Sequence, residues 1–146
     1  GEAARLGLSN IEFIDSVPLQ ELPALIASAQ VCLGIFGDTA KTGRVVPNKV
    51  FEYMAMGKPI VTADSPAIRE LFAPSASPLV LVPPADALAL AGVVRRLLHD
   101  PAQLRQLGEA AATFFKAHLM PRTIVAGLLA ELPSSVSRRG PKSYTK

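Results

Sequence analysis

Lys49 and Glu52 stand three positions apart in the run VPNKVFEYMAMGKPIVTAD, residues 46–64, directly behind Pro47 and Asn48. If a helix begins there, its first backbone N–H groups have no partner within the helix, and the aligned peptide dipoles favour negative charge. Such a mouth holds a phosphate without a dedicated side chain. Pro47 suits the first helical position, because its missing N–H is not required and its φ is already helical. Lys49 adds a mobile positive charge. Glu52, about one turn deeper on the same face, can accept two hydrogen bonds from a vicinal diol. Phosphate at the mouth and diol beside it describe a nucleotide. The competing assignment is a solvent-facing Lys49–Glu52 ion pair, worth about a few tenths of a kcal/mol.

The elements that must position these residues follow from the apolar pattern, which switches between strand and helix periods as in an α/β domain with parallel strands. Strands are expected at 11–14, 31–36, 59–63 and 79–82. Between the first two, LQELPALIASA puts Leu22, Leu25, Ile26 and Ala29 on one helical face, with Pro23 tolerable in the first turn. Helices are expected at 47–56 and 67–72, so each crossover makes a βαβ unit covered on both faces. The helix mouth then lies at the carboxyl end of a strand, where open α/β sheets bind ligands. Gly57 fits a left-handed helix end, Lys58 reads as solvated, and Asp64, Ser65 and Pro66 form a turn on the same rim. Downstream the pattern is helical: 86–99, a restart at Pro101, and 123–132 before Pro133. Leu104, Leu107, Ala111, Phe114, Phe115 and His118 form one stripe, which makes His118 a packed, hydrogen-bonded residue. His99 favours the negative end of its helix.

Composition bounds the alternatives. The chain has 146 residues, 49% of them apolar and 18% charged, with mean hydropathy +0.31, enough for one sizeable core and suggestive of a covering neighbour. No apolar run approaches the roughly 18 residues of a membrane span, and the chain reads as soluble. The net charge of +3 comes largely from SSVSRRGPKSYTK; without that tail the balance is slightly negative. Residues 134–146 read as a disordered basic tail and residues 1–133 as one domain, with no nucleic-acid partner. One Cys and two distant His exclude a closed zinc site, so no metal is expected. Cys32, inside VCLGIF, reads as a buried, inert thiol.

The run PNKVFEYMAMGKPIVTADSPAIREL resembles the donor-site signature of the group 1 glycosyltransferases, retaining enzymes of the GT-B fold with two Rossmann-like domains. NIEFIDSVPLQELPALIASAQVCLGIF resembles the elements before that signature, and LVLVPPADALALAGVVRRLLHDPAQLRQLGEAAATFF those after it, so residues 8–132 are covered. The resemblance implies that Glu52 binds the ribose hydroxyls of a nucleotide-diphosphate sugar. Pro47 and the amides of Asn48, Lys49 and Val50 fall where the diphosphate lies, and the turn at Asp15, Ser16 and Val17 falls where the base is received. Many members carry a second glutamate eight positions before the first; here that position is Arg44. A guanidinium cannot accept hydrogen bonds from sugar hydroxyls but can pair with a diphosphate. Either Asp38 or backbone in GIFGDTAKTGR holds the sugar, or Arg44 joins the phosphate grip; the second is favoured, making Lys49 and Arg44 the candidate catalytic residues.

The resemblance further implies a UDP- or GDP-linked donor, no cofactor, and an acceptor sugar or lipid-linked acceptor received by an amino-terminal domain. It implies a cytoplasmic enzyme, peripheral at the inner membrane face in its full-length form. GEAARLGLSN reads as the end of the helix after the family's second strand. The chain is therefore expected to be a carboxyl-terminal fragment of a GT-B enzyme, inactive alone, whose first two strands would lie between 11–14 and 31–36. Exposed strand edges would otherwise pair with another molecule as a dimer. An epimerase of the same fold and a non-catalytic nucleotide-binding module stay open as alternatives.

Overall fold

The computed structural model describes residues 1–72 and 77–131. Three strands, β1 (Cys32–Leu33), β2 (Ile60–Ala63) and β3 (Val80–Val82), form a parallel sheet in the order β1-β2-β3. Cys32 pairs with Ile60, and Val61 with Val80. The helices are α1 (Glu2–Arg5), α2 (Leu22–Ser28), α3 (Asn48–Ala55), α4 (Pro66–Leu71), α5 (Ala87–Leu98), α6 (Pro101–Phe114) and α7 (Pro121–Glu131), with a 3-10 turn at Thr42–Arg44 and a π turn at Phe115–Leu119.

Every residue of β2 is buried, because successive side chains enter different cores. Ile60 packs with Val50 and Met54 of α3, Ile68 of α4 and Ala111 of α6. Val61 packs on the other face with Val82 and Leu97 of α5. Helices therefore cover both faces, as the sequence requires. The helix starts are chemically specified: Ser65, Asp86 and Asp100 each accept a hydrogen bond from the N–H three residues on, from Ile68 (3.3 Å), Ala89 (2.8 Å) and Gln103 (2.9 Å).

Two glycines allow close approach. Gly57 ends α3 at φ +63°, as expected, and a Cβ on Gly108 of α6 would lie 2.3 Å from the Gly57 carbonyl oxygen. Gly34 instead makes room for a side chain of β2, where a Cβ would lie 2.3 Å from Thr62 Oγ1.

Several expectations need correction. Residues 11–14 form no strand; Phe13 is 78% exposed, with Ile11 and Ile14 also at the surface. Their alternation is a local tendency, and no neighbouring strand among the described residues offers it a ladder. The sheet ends at β1. Pro47 is the N-cap of α3 and not its first helical residue, with extended backbone at φ −70° and ψ 142°. His118 is exposed and packs at a tilt against Phe114 with ring centroids 4.6 Å apart; the π turn beginning at Phe115 breaks the three-four repeat that would have placed it in the core. The expected tail, 134–146, lies outside the described residues.

Candidate functional site

The chain leaves the carboxyl end of β1 through residues 34–47 and turns into α3. Thr39 and Thr42 brace this loop. Thr42 Oγ1 has Gly37 O at 2.9 Å and Thr39 O at 2.8 Å as acceptors, while Thr42 N–H donates to Thr39 Oγ1 at 3.3 Å. Arg44 closes the 3-10 turn and is exposed. It takes part in neither of the ion pairs found among the described residues, Glu2–Arg5 and Asp64–Arg69.

At the mouth of α3 no side chain caps the helix. The Val50 N–H donates to Pro47 O at 2.9 Å, and the Val50 side chain is fully buried. That corrects its candidacy as a contact: neither its side chain nor its amide is presented to solvent. The N–H groups of Asn48 and Lys49 have no acceptor among the described residues, and they are the donors the helix mouth offers.

Glu52 is exposed on the next turn. It faces a groove between α2 and α3 of about 400 Å³, walled by Leu22, Leu25 and Ile26 on one side and Lys49, Glu52 and Tyr53 on the other. An adjoining hollow of about 250 Å³ shares Leu22, Ile26 and Glu52 and adds Leu19 and Met56. Lys49 and Glu52 form no ion pair, so the competing assignment made from their spacing does not hold. Both charges are available to something else. Tyr53, one turn on from Lys49, was not anticipated, although its i+4 spacing placed it on the same face. Burial, followed by the nearby Cys32 and Glu52, pushes its phenol above the ordinary range, so it is a neutral hydrogen-bond donor.

Asp15 and Ser16 are exposed on the segment before α2 and do not line the groove. The structure thus brings Lys49 and Glu52 together along one groove and keeps Pro47 and Asn48 at the adjoining mouth; Asp15, Ser16 and Arg44 do not line that groove, Arg44 standing on the loop that leads into α3. Cys32 is buried, and burial raises its thiol pKa against the opposing pull of Lys58. It is a protonated packing residue, as its surroundings in sequence suggested.

On the same rim, the Asp64 N–H donates to Val82 O at 2.8 Å. Arg69 Nε donates to Asp64 Oδ1 at 2.6 Å, and Arg69 Nη2 to Oδ2. This fork holds the Asp64 carboxyl below the usual carboxylate range. A depressed folded pKa stabilises the fold above the carboxyl's unfolded pKa, and that contribution disappears as pH falls through the depressed value. Asp64→Asn should therefore be slightly less stable than wild type at neutral pH, with the two melting temperatures converging in acid. Thermal melts across pH 2 to 7 check this.

A parallel sheet with an open helix mouth at the carboxyl end of its edge strand defines a Rossmann-like ligand-binding unit. The family described as "Glycosyl transferase-like" matches residues 2–130, and the chain belongs to that family. It is 39% identical over 108 residues to the MMP alpha-(1->4)-mannosyltransferase of Mycolicibacterium hassiacum, across 73% of this chain and 25% of that protein. Among solved structures, sucrose-phosphate synthase from Thermosynechococcus elongatus superposes with TM-score 0.69 at 24% identity, over 88% of this chain and 32% of that one. Anabaena Alr3699/HepE in complex with UDP-glucose gives TM-score 0.71 at 22% identity, over 90% and 35%. At those identities the structures show the fold, which is that of a GT-B domain. The chain spans about a quarter of the curated relative and about a third of the solved ones.

Among the described residues no group of three or more His, Cys, Asp and Glu side chains could hold a metal ion, and no helix is long and apolar enough to cross a membrane.

Proposed function

We propose that this chain is the donor-binding part of a retaining glycosyltransferase that uses a nucleotide-diphosphate sugar. The observation that carries the reading is Glu52, an exposed carboxylate without an ion-pair partner, one turn inside a helix whose first amides and Lys49 are uncommitted. Family membership supports it, as does the fold shared with Alr3699/HepE, a protein solved with UDP and with UDP-glucose. In this reading the diphosphate sits on the Asn48 and Lys49 amides and the Lys49 ammonium. Glu52 takes the ribose diol, the apolar wall of α2 adjoins it, and Arg44 reaches the diphosphate from the braced loop. The acceptor would be received by a part of the protein outside this chain. Transfer builds negative charge on the leaving diphosphate while the anomeric carbon becomes cationic, and preorganised amides with Lys49 stabilise that charge.

Titration calorimetry of the chain with UDP, GDP and ADP tests the reading: saturable binding of UDP or GDP is expected, and binding of none of the three would leave a scaffold without donor function. An epimerase is separated by product analysis with and without an acceptor. Glu52→Ala should weaken binding of the preferred nucleotide about 10- to 100-fold, the range for hydrogen bonds to a charged group. The same substitution should leave affinity for the 2′,3′-dideoxy nucleotide unchanged, because no hydroxyls remain to be held. Equal losses for both nucleotides would remove the diol role.

A further inference from the structure

We infer that Lys58 is a positioning residue for this site, clamping the carboxyl end of α2 so that the α2 wall keeps its place against Lys49 and Glu52. The inference rests on the functional reading above. Lys58 Nζ donates to Ala27 O at 2.5 Å and to Ala29 O at 2.9 Å, across 31 and 29 residues of sequence.

α2 needs an external tether. It is seven residues long, begins without a side-chain cap, and buries one side chain, Ile26. An isolated helix of that length is unstable in water. No glycine follows it; Ala29 leaves in an extended conformation at φ −72° and ψ 140°, so the usual left-handed end cannot satisfy its last carbonyls. An ammonium there supplies charge-assisted hydrogen bonds and matches the negative end of the helix dipole. The donor comes from the turn that ends α3, so one side chain fixes one wall of the groove to the base of the other.

The clamp also bears on the opposite end of α2. Glu21 and Leu22 N–H groups donate to Pro18 O at 2.9 and 3.2 Å, which ties the turn following Asp15 and Ser16 to the start of the helix. With the far end pinned by Lys58, α2 becomes a fixed strut between that segment and the α3 turn. A pivoting α2 would change the groove width at Leu22 and Leu25, both facing Glu52 and Tyr53.

The test compares Lys58→Met and Lys58→Arg in the full chain by amide hydrogen exchange and by titration with UDP and GDP. Lys58→Met should speed exchange of the α2 amides about tenfold while those of α6 keep wild-type rates, and should weaken nucleotide affinity about tenfold. Lys58→Arg, which retains a charged donor, should restore both. Unchanged α2 exchange overturns the inference. So does an affinity loss matching the loss of folded protein by urea titration, since that is the mark of a merely structural role. If Lys58→Met gives no folded chain, Lys58→Gln carries the same comparison. Should wild type bind neither nucleotide, the functional reading fails and the positioning role falls with it, whereas faster α2 exchange with unchanged affinity sinks the positioning role alone.

Discussion

Gly108→Ala should lower the stability of the chain by about 1–2 kcal/mol, although the substitution improves helix propensity. The added methyl would lie 2.3 Å from the Gly57 carbonyl oxygen and 3.3 Å from its carbonyl carbon. Both are backbone atoms, so relief requires moving α6 away from the α3–β2 turn and not the swing of a side chain. Overpacking of this kind costs about 1–3 kcal/mol, occasionally more, against a propensity gain of up to about 1 kcal/mol. Gly57 is held by the turn that ends α3, its N–H donating to Met54 O at 3.0 Å and the next N–H, of Lys58, to Tyr53 O at 2.9 Å. For a chain of this length each kcal/mol shifts the melting temperature by roughly 2–4 °C, so a drop of roughly 2–8 °C is expected. Gly92→Ala is the internal control. A Cβ there meets nothing within 4 Å, and the residue lies inside α5, so the same chemical change should raise stability by up to about 1 kcal/mol. Opposite signs in parallel urea titrations isolate the close approach; a Gly108→Ala variant as stable as wild type would show that α6 yields freely.

That contact shows where the sequence was legible and where it was not. Features set within a few residues could be read directly: the left-handed Gly57, the short connection through Asp64 and Ser65 into α4, and the strands around Ile60 and Val80, whose apolar runs are buried or half-buried. Features that depend on a distant partner could not. Gly108 looks like an ordinary helix interruption until Gly57 is placed against it, and Lys58 looks solvated until the α2 carbonyls arrive 29 and 31 residues away in sequence. Residues 11–14 carried a strand pattern without the neighbour that would turn it into a strand. Pro47 missed by one position for a local reason: a proline φ near −65° fits both the N-cap and the first helical residue, and ψ decides. At the site, the type and spacing of Lys49 and Glu52 were readable, but their failure to pair and the commitment of the Val50 amide required coordinates.

Lys49→Ala should reduce turnover of the full-length enzyme about 10²- to 10³-fold while raising the donor KM by a smaller factor. The split follows from where charge develops. In the ground state a donor diphosphate already carries negative charge, and a half-exposed ammonium at the helix mouth gains modestly from meeting it. As the sugar departs, a further negative charge appears on the leaving oxygen, and the same ammonium gains more; an interaction that strengthens along the reaction coordinate raises kcat and not only affinity. Losing one preorganised charge or donor at such a position costs about 2.7–4 kcal/mol of barrier. Lys49 lies beside the free amides of Asn48 and Lys49 itself, so removing its side chain leaves the mouth present but poorer by one cation. The fold should be indifferent, since Lys49 makes no ion pair or side-chain hydrogen bond among the described residues, and an unchanged melting temperature guards against misreading an unfolded sample. Lys49→Arg should recover part of the rate, because it restores charge with a different reach. Initial-rate kinetics at varied donor concentration decide the matter: a KM effect with normal turnover would make Lys49 a ground-state binder, and no effect on either constant would move the diphosphate away from this helix altogether.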